Sequence, residues 1–192
     1  MLSLAAVLKK AKSASFALPL FTILILASFF VSCESFTPTG LAPGDRPPRF
    51  ELPDLEGRMH TLKQYEGKGV LMNFWASWCA PCVEELPALQ NLYTQLKDDG
   101  FTILAIGIDD DENALREFAR QFSLSFPVLI DKSGTLSGKY RITGVPESFV
   151  VGRDGKLIML PDPADNMPVV KIVGPRKWDT PNVVSRLRQL FD

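Results

Sequence analysis

The amino-acid sequence predicts an α/β domain in which helices cover both faces of a mixed sheet, and three observations carry that prediction. Val70 to Trp75 and Phe101 to Ile108 are short, almost unbroken apolar runs, the pattern of strands buried on both faces. Segments whose apolar residues recur at helical spacing alternate with the strands. Towards the C-terminus that alternation gives way to a hairpin and a final helix, which makes the sheet mixed.

In chain order, the domain is expected to begin near Arg49. Phe50-Glu51-Leu52 and Met59 to Leu62 flank Asp54-Leu55-Glu56-Gly57, a small hairpin around a Gly-containing turn. After the first central strand, Pro81 to Lys97 carries Leu86, Leu89, Leu92, Tyr93 and Leu96 at helical spacing, with a kink expected at Pro87. Asp98-Asp99-Gly100 ends that helix ahead of the second strand. Asp109, Asp110 and Asp111 open the next helix, where negative charge suits the N-terminal dipole, and Leu115, Phe118, Ala119 and Phe122 form its apolar face. Phe126 to Ile130 reads as a short strand and Ser133 to Tyr140 as a short helix. Glu147 to Val151 and Lys156 to Leu160 are joined by Gly152-Arg153-Asp154-Gly155, which is hairpin turn chemistry. Pro161 to Pro168 reads as a loop and Val169 to Val173 as one more strand. A last helix, capped by Asp179 or Thr180 and carrying Pro181 in its first turn, runs to Phe191.

A chain of 192 residues, 46% hydrophobic and 22% charged, has room for one ordinary packed domain and a short appendage. The formal net charge of −1, with lysine and arginine scattered among acidic residues, gives no basic stripe for nucleic acid and no acidic tail for a polycation. Three cysteines are too few for a disulfide framework, and the single histidine, His60, gives no ligand spacing for zinc. His60 is expected to be an ordinary surface or turn residue.

Residues 1–33 read as an address. Lys9, Lys10 and Lys12 precede an uncharged stretch from Ser13 to Ser32, the signature of an export segment with its N-terminus in the cytoplasm. The stretch is slightly long for a cleaved signal and just long enough to span a bilayer. In one outcome Phe30-Val31-Ser32-Cys33 is a lipobox and Cys33 becomes a lipidated N-terminus; in another the run stays as a transmembrane anchor; simple secretion is the third. All three place the domain outside the cytoplasm, and the first two tether it to a membrane. Residues 34–48, rich in Pro and Gly, form a stiff tether, and residues 49–192 form the domain.

The chemistry centres on Trp78-Cys79-Ala80-Pro81-Cys82. Disulfide exchange needs a thiolate, an accessible sulfur and a second thiol near enough to resolve the mixed disulfide. Cys79 follows a buried strand and stands where a helix begins, so unpaired backbone N–H groups and the helix dipole favour negative charge on its sulfur. Cys82 lies three residues on, within reach, and Trp75 and Trp78 are expected to lay flat apolar surface around the pair. Cys-x-x-Cys alone also serves metal sites and structural bridges; the strand-to-helix setting behind an export segment points to redox work. No prosthetic group is needed, because the Cys79–Cys82 disulfide is itself the redox group.

Asn73 to Cys82 resembles the active-site strand and helix start of thioredoxin-like proteins, most closely the membrane-tethered TlpA/ResA/CcmG branch. Glu85-Leu86-Pro87, Gly144-Val145-Pro146-Glu147-Ser148-Phe149, Asp154-Gly155-Lys156 and Gly174-Pro175-Arg176-Lys177-Trp178-Asp179 extend the likeness from about Ala42 to Asp192. The resemblance implies a thioredoxin-like three-layer fold and a cis peptide bond before Pro146. Val145 would then offer its backbone beside Cys79 to an extended client segment, with Trp78 adjoining. It also implies that Asn73 replaces the buried Asp of many thioredoxins. Glu85, on the same helix face as Cys82, would shuttle the proton that Cys82 loses.

The expected activity is that of an extracytoplasmic protein disulfide reductase. Cys79 attacks a client disulfide, Cys82 releases the product, and a membrane thiol reductase restores the pair. By resemblance, the clients are apocytochrome c haem-binding cysteines or the copper-site cysteines of an oxidase assembly protein. A peroxiredoxin-like peroxidase and a thiol-based metal carrier are the rival readings.

Overall fold

The computed structural model describes residues 41–108 and 111–191; the export segment, Cys33 and the first part of the tether lie outside the described residues. A small hairpin of β1 (Leu52–Pro53) and β2 (Met59–His60) comes first, pairing Leu52 with His60. A turn of 3-10 helix at Leu62–Tyr65, not foreseen from the sequence, leads into the central sheet. The sheet then takes β3 (Gly69–Trp75), β4 (Phe101–Gly107), β5 (Val128–Ile130), β6 (Glu147–Val151), β7 (Leu157–Ile158) and β10 (Lys171–Val173). Its order is β10-β6-β3-β4-β5, with β7 beside the far end of β6. Strands β3, β4 and β5 run parallel, whereas β6 is antiparallel to β3, β7 and β10. This is the mixed, thioredoxin-like sheet that was expected.

Every residue of β3 and β4 is buried, as their unbroken apolar sequences demand. Because side chains alternate along a strand, Leu71 and Trp75 enter one core and Val70, Met72 and Phe74 the other. The first core is filled from α1 (Ala80–Leu96), which supplies Leu86, Leu89, Leu92 and Leu96. It also takes Leu115 of α2 (Glu112–Gln121) and Val183, Val184, Leu187 and Phe191 of α4 (Pro181–Phe191). The second is closed by Leu136 of α3 (Thr135–Lys139), by Tyr140 and by the partly buried N-terminal residues Leu41, Phe50 and Leu62. Asn73 shares its face with Leu71 and Trp75 and is thereby aimed at α1.

Several boundaries differ from those expected. The helix α1 runs without interruption through Pro87. The stretch Val169 to Val173 is not one strand: Val169 belongs to β9 (Pro168–Val169), which pairs with β8 (Leu160–Pro161), and only Lys171–Val173 joins β6. The Pro161–Pro168 segment is therefore the tip of a second small hairpin. Residues 41–48, assigned to the tether, lie against the domain through Gly44 N–H to Leu157 O at 2.8 Å, Leu157 N–H to Asp45 O at 2.9 Å and Tyr140 OH to Pro48 O at 3.2 Å. His60 proves structural, its Nε2 sitting 2.9 Å from Oδ2 of the buried Asp54.

Candidate active site

The site is built where β3 gives way to α1. Ala76, Ser77 and Trp78 form a tight turn, closed by Cys79 N–H to Ala76 O at 3.2 Å. Cys79 then stands as N-cap of α1 with extended backbone (φ −92°, ψ 97°). Its sulfur takes the place of the oxygen that an N-cap side chain ordinarily supplies, and the Cys82 N–H donates to Sγ across 3.2 Å. Pro81, within the first two helical positions, has no N–H to leave unpaired there. Cys79 and Cys82 are joined as a disulfide with Cα atoms 5.3 Å apart, so the structure is that of the oxidised form. Once that bond opens, the same N–H and dipole face the Cys79 sulfur and favour its thiolate.

The two sulfurs are not equivalent. Cys79 keeps 6% of its surface exposed and Cys82 none. The Val145–Pro146 peptide bond is cis, and the Val145 carbonyl oxygen lies 3.4 Å from Cys79 Sγ. Trp78 is 70% exposed beside them, whereas Trp75, expected to share that surface, is wholly buried. Trp75 ends a strand inside the sheet and so faces the core; Trp78 follows the turn and faces outward. The loop before β6 is braced by Glu147, which accepts from Thr143 Oγ1 at 3.0 Å and from Lys171 Nζ at 2.8 Å.

Beneath the pair lies a buried carboxyl. Glu85, 4% exposed, is one helical turn beyond Cys82, while its neighbour Glu84 is exposed. Its Oε1 accepts from Asn73 Nδ2 at 2.7 Å, and Asn73 Nδ2 also donates to Ser148 Oγ at 3.0 Å. Its Oε2 accepts from the Arg176 backbone N–H at 2.9 Å and from Trp178 Nε1 at 3.3 Å. Burial raises the Glu85 pKa above its ordinary value; the three donors and the Arg176 guanidinium work against that rise without cancelling it.

Arg176 in turn forks onto Asp162, Nε to Oδ1 at 2.6 Å and Nη2 to Oδ2 at 2.7 Å. This fork holds the Asp162 carboxyl below its usual value despite burial. Sequence reasoning singled out Cys79, Cys82, Glu85, Trp78, Val145 and Pro146, and the structure gathers them at the N-terminal end of α1. It missed Ser148, Asp162, Arg176 and Trp178. Arg176 and Trp178 sat inside a noted family-like segment, but their partners lie 91 and 93 positions away and no local pattern announces them.

Residues 43–159 match the model of the AhpC/TSA family. The chain belongs to the AhpC/TSA family. The relatives it resembles include thiol–disulfide oxidoreductases. It is 42% identical over 115 residues to the thiol-disulfide oxidoreductase ResA of Bacillus thuringiensis subsp. konkukian, a match spanning 60% of this chain and 66% of that protein. It is 38% identical over 133 residues to ResA of Geobacillus thermodenitrificans, covering 69% of this chain and 74% of the relative. Among solved structures, a putative thiol:disulfide interchange protein DsbE from Chlorobium tepidum superimposes with a TM-score of 0.68 at 28% identity, covering 80% of this chain and all of that one. As an AhpC/TSA-family member, the chain thus carries its cysteine pair on the thioredoxin-like scaffold of exchange proteins.

Proposed function

We propose that this AhpC/TSA-family chain is an extracytoplasmic, membrane-tethered disulfide reductase that works through Cys79 and Cys82. The observation that carries the assignment of roles is the unequal exposure of the two sulfurs beside the Val145 carbonyl. Only Cys79 is open to a client. Its thiolate attacks a client sulfur, forming a mixed disulfide and releasing the first client thiolate. The Cys82 thiolate then attacks Cys79 Sγ, the mixed disulfide breaks, and the second client thiolate leaves. Two electrons pass from the pair to the client, and a membrane thiol donor returns them.

Glu85 acts as the base that receives the Cys82 proton. Its raised pKa brings it closer to a thiol in proton affinity, and burial excludes competing water. The same carboxyl supports the reducing direction. The first turn of α1, Ala80 to Val83, holds no cation, and negative charge at Glu85 works against a Cys82 thiolate. A pair whose buried thiolate gains little stabilisation gives its electrons up more readily. No helix among the described residues is long and apolar enough to cross a membrane; the tether reading rests on the sequence of residues 1–33, through an uncleaved helix or a lipidated Cys33. Clients of the proposed kind are proteins with an extended segment around a disulfide, haem-binding cysteines of apocytochrome c and copper-site cysteines among them.

Trapping tests this reading. In native membranes a Cys82→Ala variant is expected to accumulate mixed disulfides on Cys79, and a Cys79→Ala variant none. Equal trapping by both, or peroxide consumption by a Cys82→Ser variant, would replace the reductase with another activity.

A further inference from the structure

The tip of the β8–β9 hairpin has no part in the exchange steps above, yet it holds Asp162, one of the few buried carboxylates. Asp162 is fixed within its own turn: its N–H donates to Met167 O at 2.8 Å, its backbone oxygen accepts from Asn166 N–H at 2.8 Å, and Oδ1 accepts from Ala164 N–H at 2.9 Å. From that rigid seat it takes both arms of Arg176. Arg176 is the residue whose backbone N–H reaches Glu85, and Trp178, two residues on, supplies the second donor to the same oxygen. The planar guanidinium makes this a two-point clamp that a single-point ammonium cannot copy.

We propose that Asp162 and Arg176 form a latch that positions the Arg176 N–H and the Trp178 indole on Glu85 Oε2, and so sets how readily Glu85 takes up the Cys82 proton. Both are positioning residues, and their consequence for exchange rests on the role given to Glu85. The groups facing Glu85 are Asn73 from the sheet, itself bonded to Ser148, Cys82 one turn back on its own helix, and Arg176 and Trp178 from the segment before α4. Arg176 is the only cation among them, with Asp162 and, further out, Asp165 as its counter-charges. All three donors to Glu85 favour the carboxylate over the neutral acid, so each opposes the uptake of a proton. Loosening the latch weakens two of the three, which moves the Glu85 titration to higher pH. A purely electrostatic role for Arg176 predicts the opposite sign: without Asp162, an uncompensated guanidinium would move the titration to lower pH.

The experiment follows the Glu85 carboxyl by carbon-13 NMR in the oxidised full-length chain, where Cys79 and Cys82 are bonded to each other and do not titrate. In Asp162→Asn the midpoint is expected to rise by about half a pH unit or more, with faster amide exchange at Arg176. Arg176→Lys, which keeps the cation and loses the fork, should move it in the same direction. A midpoint that falls or stays still in either variant overturns the latch. Cys82 titration in the reduced chain, compared between wild type and Glu85→Gln, tests the underlying role. Identical curves there remove Glu85 from the exchange, and the latch's consequence with it. That failure is distinct from failure of the latch, since the oxidised-form midpoint does not depend on Cys82.

Discussion

Replacing Glu85 by Gln removes one buried negative charge while keeping the side chain's size and one carbonyl oxygen for its donors. Cys82 and Glu85 are three residues apart on α1, which places their Cβ atoms about 5–6 Å from each other. At ~6 Å and an effective dielectric of ~20, two negative charges repel by about 3 kcal/mol, or about two pKa units. With Glu85 ionised, Cys82 should therefore titrate about two units higher in wild type than in Glu85→Gln. The resolving step should slow in the variant at pH values where Cys82 needs a base. Thiolate absorbance in the reduced chain gives the titration, and stopped-flow exchange with a disulfide peptide gives the rate. The linkage to folding has a definite sign. A carboxyl whose pKa is raised in the folded state contributes fully below its ordinary value of 4.5 and loses that contribution as pH rises through the folded value. Glu85→Gln should thus be less sensitive than wild type to pH in that window. Superimposable thiol titrations and unchanged exchange rates would refute the reasoning.

Asp54 shows the opposite linkage: burial opposes its ionisation, but bonds from His60 and Arg58 prevail and lower its pKa to about 2. Its contribution is complete above the ordinary 3.8 and lost as pH falls through about 2, so urea titrations from pH 6 to 2 should show Asp54→Asn losing up to ~2 kcal/mol less than wild type. Gly69→Ala would bring a Cβ within 2.5 Å of the Phe191 ring, where the end of α4 packs on β3; thermal unfolding should register a loss of about 1–3 kcal/mol. Trp78→Ala, by contrast, removes an exposed ring and should leave the melting temperature nearly unchanged while weakening client capture on Cys79 several-fold, which trapping yields can measure.

The sequence was most informative where one rule acted alone. Apolar runs located β3 and β4, and turn chemistry located the hairpin after β6, because burial on both faces and a Gly-containing turn each leave a local mark. Cys79 and Cys82 were legible for the same reason: strand, cap and helix start follow one another without a break. The short strands were harder. Val169 and Val173 differ little as residues, yet Val169 pairs with Leu160 and Val173 with Glu147, a division decided by partners elsewhere in the chain. Trp75 and Trp78 looked alike in sequence and separated only when β3 placed one in the core. The environment of Glu85 was half readable: helical spacing put it under Cys82, but Arg176, Trp178 and Asp162 arrive through tertiary structure.

The reduction potential of the Cys79–Cys82 pair tests the central claim most directly, and equilibration of the full-length chain against glutathione and dithiothreitol buffers measures it. A reductase with an unassisted Cys82 thiolate and Glu85 beneath it should lie near or below the ~−270 mV of thioredoxin-type pairs. A value near ~−120 mV, the mark of a strongly stabilised thiolate, would make the chain a disulfide donor and contradict the account.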